Sequence, residues 1–366
     1  MAFWAWTWEI IGPGGVTTAL PGACLQGGSW GPFRQNVNDP VTVSTAQLYG
    51  RLPASMPTIE VEMGIGVYGT NGANQIGFQM KVNNYKVNYG ITAAQDTWTM
   101  DLEDVLAEIG RATVSLSFTA GQKTQNAAGD LASATNTDLD VVTPDPTRST
   151  VSAQTFTNEN GMTILRQLAQ TENGRVFAGG ATLGAFSTIW YWYFTPRGDN
   201  PAVTGLFTDG SITAVNNATN FRYSQLEFAG IGDNYADTVI VEPAGLAAQT
   251  AGTGSRVYSV QTYDQTTTQA ADNAAWLQAQ LSDQTAGPRS ISYTWEQQGG
   301  YYKAVGDAIT IEFRGTSYVA EILSTTTTFS TEGTRVTHNL APYEQVNWFV
   351  LDNATFGRLD YNRLSY

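Results

Sequence analysis

The 366-residue chain has one cysteine, Cys24, so an intrachain disulfide framework is excluded. It has one histidine, His338, so any Ser–His or Cys–His catalytic pair would have a single base to draw on. Charge is scarce as well: Asp, Glu, Lys and Arg make up 14% of residues, against roughly 25% in ordinary soluble proteins. Only four lysines occur, Lys81, Lys86, Lys123 and Lys303. With 18 basic against 32 acidic residues, the net charge is −14. Such a chain repels phosphates and has no basic stripe to displace counterions, so no grip on DNA or RNA is expected. No apolar run reaches the ~18 residues of a membrane-spanning helix. The N-terminal MAFWAWTWEI has neither a basic segment nor a clean apolar stretch. No signal peptide is therefore expected, and synthesis in the cytosol is.

What fills the place of charge is Thr, Asn, Gln, Ser and Gly. Thr suits strands and Asn and Gly suit turns, so one account is a β-rich protein. The other is surface buried between subunits, because interface cores are depleted of charged residues. An apolar content of 42% is ordinary, and the length allows two or three domains with sizeable cores.

Trp4, Trp6, Trp8 and Ile10 share one face of an N-terminal strand, which Gly12-Pro13-Gly14-Gly15 stops. Strands are expected at Pro40–Leu48, Thr58–Met63 and Gly77–Val82, with a hairpin turn at Asn83-Asn84. A short helix is expected after Trp98-Thr99-Met100. Asp101 would cap it, Leu102, Val105, Leu106 and Ile109 would form its stripe, and Gly110 would end it. Gln122–Ser152 is poor in apolar residues and reads as a connection, loop or weak helix. A second helix is expected at 161–171, with Met162, Leu165, Leu168 and Ala169 inward, followed by a strand at Arg175-Val176-Phe177. Ile189–Phe194 is aromatic on both faces, as in a strand covered on both sides. Val239-Ile240-Val241 is a further strand. A third helix is expected at 267–281 on Ala270, Ala274, Leu277 and Leu281, ended by Gly287-Pro288-Arg289. Ile291, Tyr293 and Trp295 then alternate. The end is an antiparallel meander: Ile309, Ile311 and Phe313, a turn at Gly315-Thr316, a strand at Tyr318–Leu323, a Thr-rich loop, and a strand at Thr334–Leu340. A faint echo links 77–102 with 308–340.

Chemical motifs are present but lack their required context. Gly64-Ile65-Gly66-Val67-Tyr68-Gly69 matches G-x-G-x-x-G, yet the loop-like Thr70-Asn71-Gly72-Ala73-Asn74 follows where a helix is needed. Gly27-Gly28-Ser29-Trp30-Gly31 matches the nucleophile elbow, but Pro32 follows at once. His338 shares its strand face with Val336 and Leu340, as a packed histidine does. Cys24 has only that residue as a possible base, and is not expected to be a nucleophile. Asn136, Asp138 and Asp140 have the opening spacing of a calcium loop, but Val141 stands at the glycine position and Thr147 at the bidentate glutamate position. Glu60 and Glu62 would share a strand face as a carboxylate pair. A wet strand face is the simpler account. Ten Trp and 17 Tyr offer either sugar-stacking platforms or packing, and packing is the commoner use. No catalytic, cofactor-binding or metal residue is assigned, no cofactor is expected, and the chain reads as a non-enzyme.

One resemblance organises these observations. The order Val305-Gly306-Asp307, strand, Tyr318 strand, Thr-rich stretch, Thr334-x-x-Thr337-x-x-Leu340-Ala341-Pro342 resembles the C-terminal barrel of tail hub proteins from long-tailed phages. Tyr89-Gly90-Ile91, Asp96–Asp104 and Ile109–Val114 resemble the end of the first barrel of such hubs. Gly161–Phe177 is similar to their middle helix and strand. Phe207-Thr208-Asp209-Gly210 and Asp233–Val241 are similar to the approach to the second barrel. The matching stretches span 77–366; the Trp-rich first seventy residues match poorly. The resemblance implies a mainly β fold with minor α, two barrel-like domains joined by a small α+β domain. The boundaries are 1–112 for the first barrel, 113–205 for the middle, 206–346 for the second barrel and 347–366 for a C-terminal extension. It implies a minor tail or baseplate hub protein at the virion tail tip, similar to contractile-phage hubs and the type VI secretion spike hub. Such hubs are homotrimers whose six barrels meet a hexameric distal or tube ring. They carry tip, fibre or receptor-binding proteins, seat the tape-measure protein and surround the DNA exit channel. The acidic composition predicts a neutral or acidic channel wall, since a basic one would hold DNA back. Two other classes fit the sequence: a receptor- or carbohydrate-binding tail protein using its Trp and Tyr, and a tail-associated cell-wall hydrolase using Glu60.

Overall fold

The computed structural model describes residues 5–11, 17–20, 22–34, 41–54, 56–71, 74–136, 139–143, 147–178, 190–195, 203–208, 220–229, 235–282, 287–295, 303 and 305–342. Trp4, Gly12–Gly15, Asp138, Ile189, Asp209-Gly210, Asp233-Asn234 and the 347–366 extension lie outside them. Among the described residues the chain is mainly β with four α-helices.

Seven strands come first: β1 (Ala5–Ile11), β2 (Thr17–Leu20), β3 (Leu25–Arg34), β4 (Thr45–Arg51), β5 (Gly64–Asn71), β6 (Asn74–Asn88) and β7 (Thr97–Glu103). They lie in the order β3-β4-β7-β6-β5-β1-β2, antiparallel throughout. The period-2 pattern predicts which side chains face inward. Trp8, Trp30, Leu48, Ile65, Val67, Phe78, Met80, Trp98, Met100 and Leu102 are all 2% exposed or less. Each buried indole removes on the order of 200 Å² from water, about 5 kcal/mol at ~25 cal/mol/Å² before entropy is subtracted.

Four local expectations fail here, each for a packing reason. Alternation carries past Met100 to Leu102, so Asp101 and Leu102 belong to β7, and Asp101 caps nothing. The helix α1 (Leu106–Arg111) starts later, and Asp104 accepts its Leu106 N–H at 3.0 Å. Asn83-Asn84 is not a turn: β6 runs through it, with a bulge between Val82 and Asn84, and Asn84 Nδ2 donates to Asp101 Oδ2. Thr58–Met63 is not a strand. It is an irregular connection in which Glu62 sits at φ 71, and the Glu62 N–H and Met63 carbonyl both bond to Val82. The strand expected at Pro40–Leu48 begins at Thr45, and Val41 makes only a single bridge to Val176.

A middle unit follows: α1, β8 (Thr113–Phe118), β9 (Gln122–Lys123), α2 (Thr124–Thr135), β10 (Leu139–Val142), β11 (Thr150–Val151), β12 (Gln154–Asn160), α3 (Gly161–Glu172), β13 (Arg175–Ala178) and β14 (Trp190–Thr195). The stretch read as loop or weak helix, a connection between domains, does hold a helix, and that helix forms core. Ala127, Ala128, Leu131 and Ala132 of α2 are buried against α3, because alanines allow close helix approach without looking apolar in a window. Helix α3 buries Met162, Leu165, Leu168 and Ala169 as its periodicity predicts. Asn160 caps it by accepting from Met162 and Thr163 N–H, and Asn173 ends it in the left-handed region at φ 49. β14 is the central strand between β10 and β13, which accounts for its aromatic run; Trp192 and Phe194 are fully buried.

The remaining chain supplies β15 (Val203–Thr208), β16 (Asn220–Arg222), β17 (Gln225–Ala229), β18 (Thr238–Pro243), β19 (Gln249–Gly252), β20 (Val257–Thr262), α4 (Thr267–Leu281), β21 (Gly287–Thr294), β22 (Ala308–Phe313), β23 (Thr316–Ser330) and β24 (Gly333–Pro342). Strands β18 to β20 form their own sheet with α4 packed on it around Val239, Val241, Ala270, Ala274 and Leu277. Gly287 to Arg289, expected as a helix stop, open β21 instead. The others run β16-β15-β22-β23-β24-β21-β17. Only Tyr223 and Ser224 separate β16 from β17, so the strand series returns on itself.

The Thr-rich stretch is the decisive correction. It is not a loop: β23 continues through it, with Thr325 and Thr327 buried and Thr328 exposed in strand alternation. Its first half pairs with β22, its second half with β3 of the first strand set, and its other edge with β24. One strand therefore belongs to both sets, and 14 strands form one continuous sheet.

Candidate assembly interface

The shared strand makes the seam continuous. Trp6 of β1 stacks on Phe329 of β23 at 4.0 Å between centroids, and touches Trp30 and Trp295 edge-on or tilted, so the interiors of the two sets are continuous. Opposite β23, β3 bulges at Gly31, whose φ of 108 brings its Cα close to Thr325; a Cβ there would lie 2.3 Å from the Thr325 oxygen. That geometry explains the apparent elbow motif. Ser29 lies within a strand and no helix follows it. The apparent dinucleotide motif is strand β5, paired along its length with β6. Its last glycine, Gly69, leaves room for the Trp6 indole, 3.0 Å from where a Cβ would sit.

The other sequence candidates are also placed. His338 is fully buried on β24, Tyr293 Oη lying 3.0 Å from its Nε2 and Thr325 Oγ1 2.8 Å from its Nδ1. Burial pushes its pKa down to about 3, so the ring is neutral, and the two hydroxyls complement its one donor and one acceptor. It serves as a packed histidine. Cys24 lies in a short turn before β3, and burial raises its thiol pKa, away from reactivity. Glu60 and Glu62 share no strand face, and Glu62 pairs with Arg111 at 3.0 Å. Asn136 ends α2 and donates to Glu108, while Asp140 accepts its neighbour's Val141 N–H; no group of three or more acidic, His or Cys ligands occurs among the described residues. Trp8, Trp30, Trp98, Trp192 and Trp295 are fully buried or nearly so, which removes them as sugar platforms.

Among the described residues the surface presents two sets of exposed apolar side chains and one groove. The β6–β7 loop exposes Tyr89 at 79% and Ile91 at 98%. The loop is held by its own polar groups: Gly90 N–H donates to Asp96 Oδ1 at 2.8 Å, Ile91 N–H to Gln95 Oε1 at 3.1 Å, and Gln95 N–H to the Thr92 carbonyl at 2.9 Å. The loop's hydrogen bonds hold the exposed isoleucine in one backbone conformation. At the far end of the second set, Phe228 is 39% exposed and contacts Phe313 and Tyr318, with the Arg314 guanidinium over the Phe313 ring. On the outer face of the seam, Gln47, Tyr49, Thr328 and Arg335 line an open groove of about 450 Å³. The sequence resemblance singled out Tyr89-Gly90-Ile91, but neither its exposure nor the Phe228 cluster was legible without the fold.

No protein-family model and no curated protein matches the chain. Solved structures do. The 43 kDa tail protein of prophage MuSo2 from Shewanella oneidensis superposes with a TM-score of 0.60 at 12% identity, covering 92% of this chain and 96% of that one. A tail protein from Neisseria meningitidis gives 0.62 at 12% identity, covering 93% and 96%. An Escherichia coli component of the type VI secretion system, itself structurally similar to T4 tail proteins, gives 0.56 at 14% identity, covering 96% and 80%. The chain has the mainly β fold of these tail and type VI secretion proteins over nearly its whole length.

Proposed function

We propose that the chain is a structural tail hub. In this reading 1–112 and 206–346 supply two barrels, 113–205 links them and 347–366 extends beyond them. Three chains close into a ring of six barrels at the tail tip. The ring joins hexameric tail rings above to tip proteins below, seats the tape-measure protein and surrounds the path that DNA leaves by. The observation that carries the reading is whole-chain superposition on tail proteins that are themselves covered almost completely. Supporting it are the two strand sets fused through β23 and the low charge density, which suits buried subunit contacts. The work done is mechanical: a continuous seam and apolar tips that neighbours cover. No catalytic step is part of it.

The test is assembly. Purified protein should give a particle of three 39.5 kDa chains by native mass spectrometry, with six density lobes in a projection along its axis. A stable monomer at high concentration, or a closed hexamer of this chain, would sink the trimeric reading. The channel wall in that particle should be neutral or acidic; a ring of unpaired Arg or Lys at its narrowest point would contradict this.

A further inference from the structure

Three side chains from distant parts of the sequence meet where the first strand set joins the middle unit. Lys81 on β6 forms an ion pair with Oε1 of Glu108 on α1, and both side chains are nearly buried, at 12% and 11% exposure. The other oxygen of the same carboxylate, Glu108 Oε2, accepts from Asn136 Nδ2 at 2.9 Å. Asn136 is the residue that ends α2, and its backbone is fixed on both sides: its N–H donates to the Ala132 carbonyl, and its own carbonyl accepts from Leu139. One carboxylate thus bridges a primary amine and a carboxamide.

The neighbouring charges are matched among themselves. Glu103, the register partner of Lys81, is held by Arg111, which also holds Glu62. Glu108 and Arg111 stand one helical turn apart on α1 and face the sheet together, each with its own opposite partner. At the second oxygen of this ion pair sits the Asn136 carboxamide, so the three side chains have the chemical types of a nucleophile, a proton carrier and an acyl donor.

We propose that Lys81 and Asn136 become joined by an isopeptide bond, with Glu108 as the proton carrier. In the reacting form of the pair Glu108 holds the proton and Lys81 is the neutral amine. Lys81 Nζ attacks Cγ of Asn136, and the C=O π electrons move onto oxygen. Glu108 gives its proton to Nδ2 and takes one from the attacking nitrogen. The tetrahedral centre collapses, the Cγ–Nδ2 bond breaks, and ammonia leaves. The balance is amine plus carboxamide giving a secondary amide plus ammonia, with no change of oxidation state and no other reactant. The shared carboxylate draws the amine and the carboxamide to one site, in place of the activation that an external enzyme would supply. The product staples β6 to the end of α2. It closes the chain between them into a loop, which restricts the unfolded state as a disulfide would, in a protein with no disulfide available. The linkage stands independently of the tail reading.

The experiment is intact-mass spectrometry of the full chain with peptide mapping. Wild type should be lighter than its sequence by one ammonia, and digestion should release a branched peptide containing Lys81 and Asn136. Glu108→Gln and Asn136→Ala should each have the full mass of their sequences; Asn136→Ala serves if Glu108→Gln fails to fold. A wild-type chain at full sequence mass overturns the proposal. So does an ammonia loss that maps elsewhere, such as a succinimide at Asn160-Gly161, or a Glu108→Gln chain that still carries the branched peptide.

Discussion

The two strand sets share β23 and one sheet, yet they fill their interiors differently. The first is aromatic: Trp8 stacks on Trp98 at 4.8 Å, Trp30 leans on Phe78, and the Trp98 indole N–H is satisfied by the Arg51 carbonyl. The second mixes aromatic rings with a buried polar chain, Tyr293 to His338 to Thr325, beside the stacked pair Phe207 and Phe221. The first interior is held by area removed from water, the second by area together with hydrogen-bond complementarity. A change in the first should therefore be felt as lost volume, and a change in the second as a lost partner.

The largest separation of the two should come from Trp98→Ala, which empties a fully buried indole site and abolishes its stacking. A loss of about 3–5 kcal/mol is expected in urea unfolding. A loss below about 1 kcal/mol would mean that the first interior collapses around the gap, contrary to its rigid packing. Tyr293→Phe should cost less, about 1–3 kcal/mol, because it keeps the ring and removes only the hydroxyl opposite His338. If the two substitutions cost the same, the contrast between the interiors fails.

Acidity probes the same contrast with opposite signs. His338 has a folded pKa depressed by burial to about 3, from an ordinary 6.5. Between those values the unfolded chain binds more protons, so this residue makes stability fall as pH drops below about 6.5. Asp104, buried where α1 leaves the first set, is pushed up to about 7 by desolvation, against the N–H donors of Ser44 and Leu106. There the folded chain binds more protons, so its contribution falls as pH rises from about 4 to 7. Melting curves across pH 4–7 should show Asp104→Asn removing the second slope and leaving the first. An unchanged profile would show that Asp104 ionises freely.

The smallest effect on the single chain should come from Ile91→Ser at the exposed tip, within about 0.5 kcal/mol of wild type in unfolding. Its effect should be on assembly instead, read as dissociation of the particle at lower dilution. Normal assembly would remove the tip from the interface.

Much of the fold was legible. Helices α3 and α4 follow their apolar stripes closely, and the inward faces of β1, β21 and β22 follow alternation. Local pattern was enough there because each element buries one continuous face. It failed for α2, whose buried face is mostly alanine, and for Asn83-Asn84, where a bulge absorbs what a turn would have used. The absence of chemistry in the glycine motifs was readable from the residues just after them, Thr70–Asn74 and Pro32, which start no helix. Tyr89-Gly90-Ile91 stands out in the sequence, but its exposure required knowing that none of the described residues folds over it.

The sequence alone determined periodicity: which residues alternate, which repeat every three or four, and how little charge must cover the surface. These are properties of neighbours along the chain. The tertiary structure alone decided partnership. A run of threonines reads as loop or strand with equal ease. It became the strand shared by both sets because β3 lies along one edge and β24 along the other. Nor does any local signal bring Lys81, Glu108 and Asn136 together; β6, α1 and α2 do so by packing. Register and convergence are set by contacts between residues far apart in sequence, where local preference carries no information.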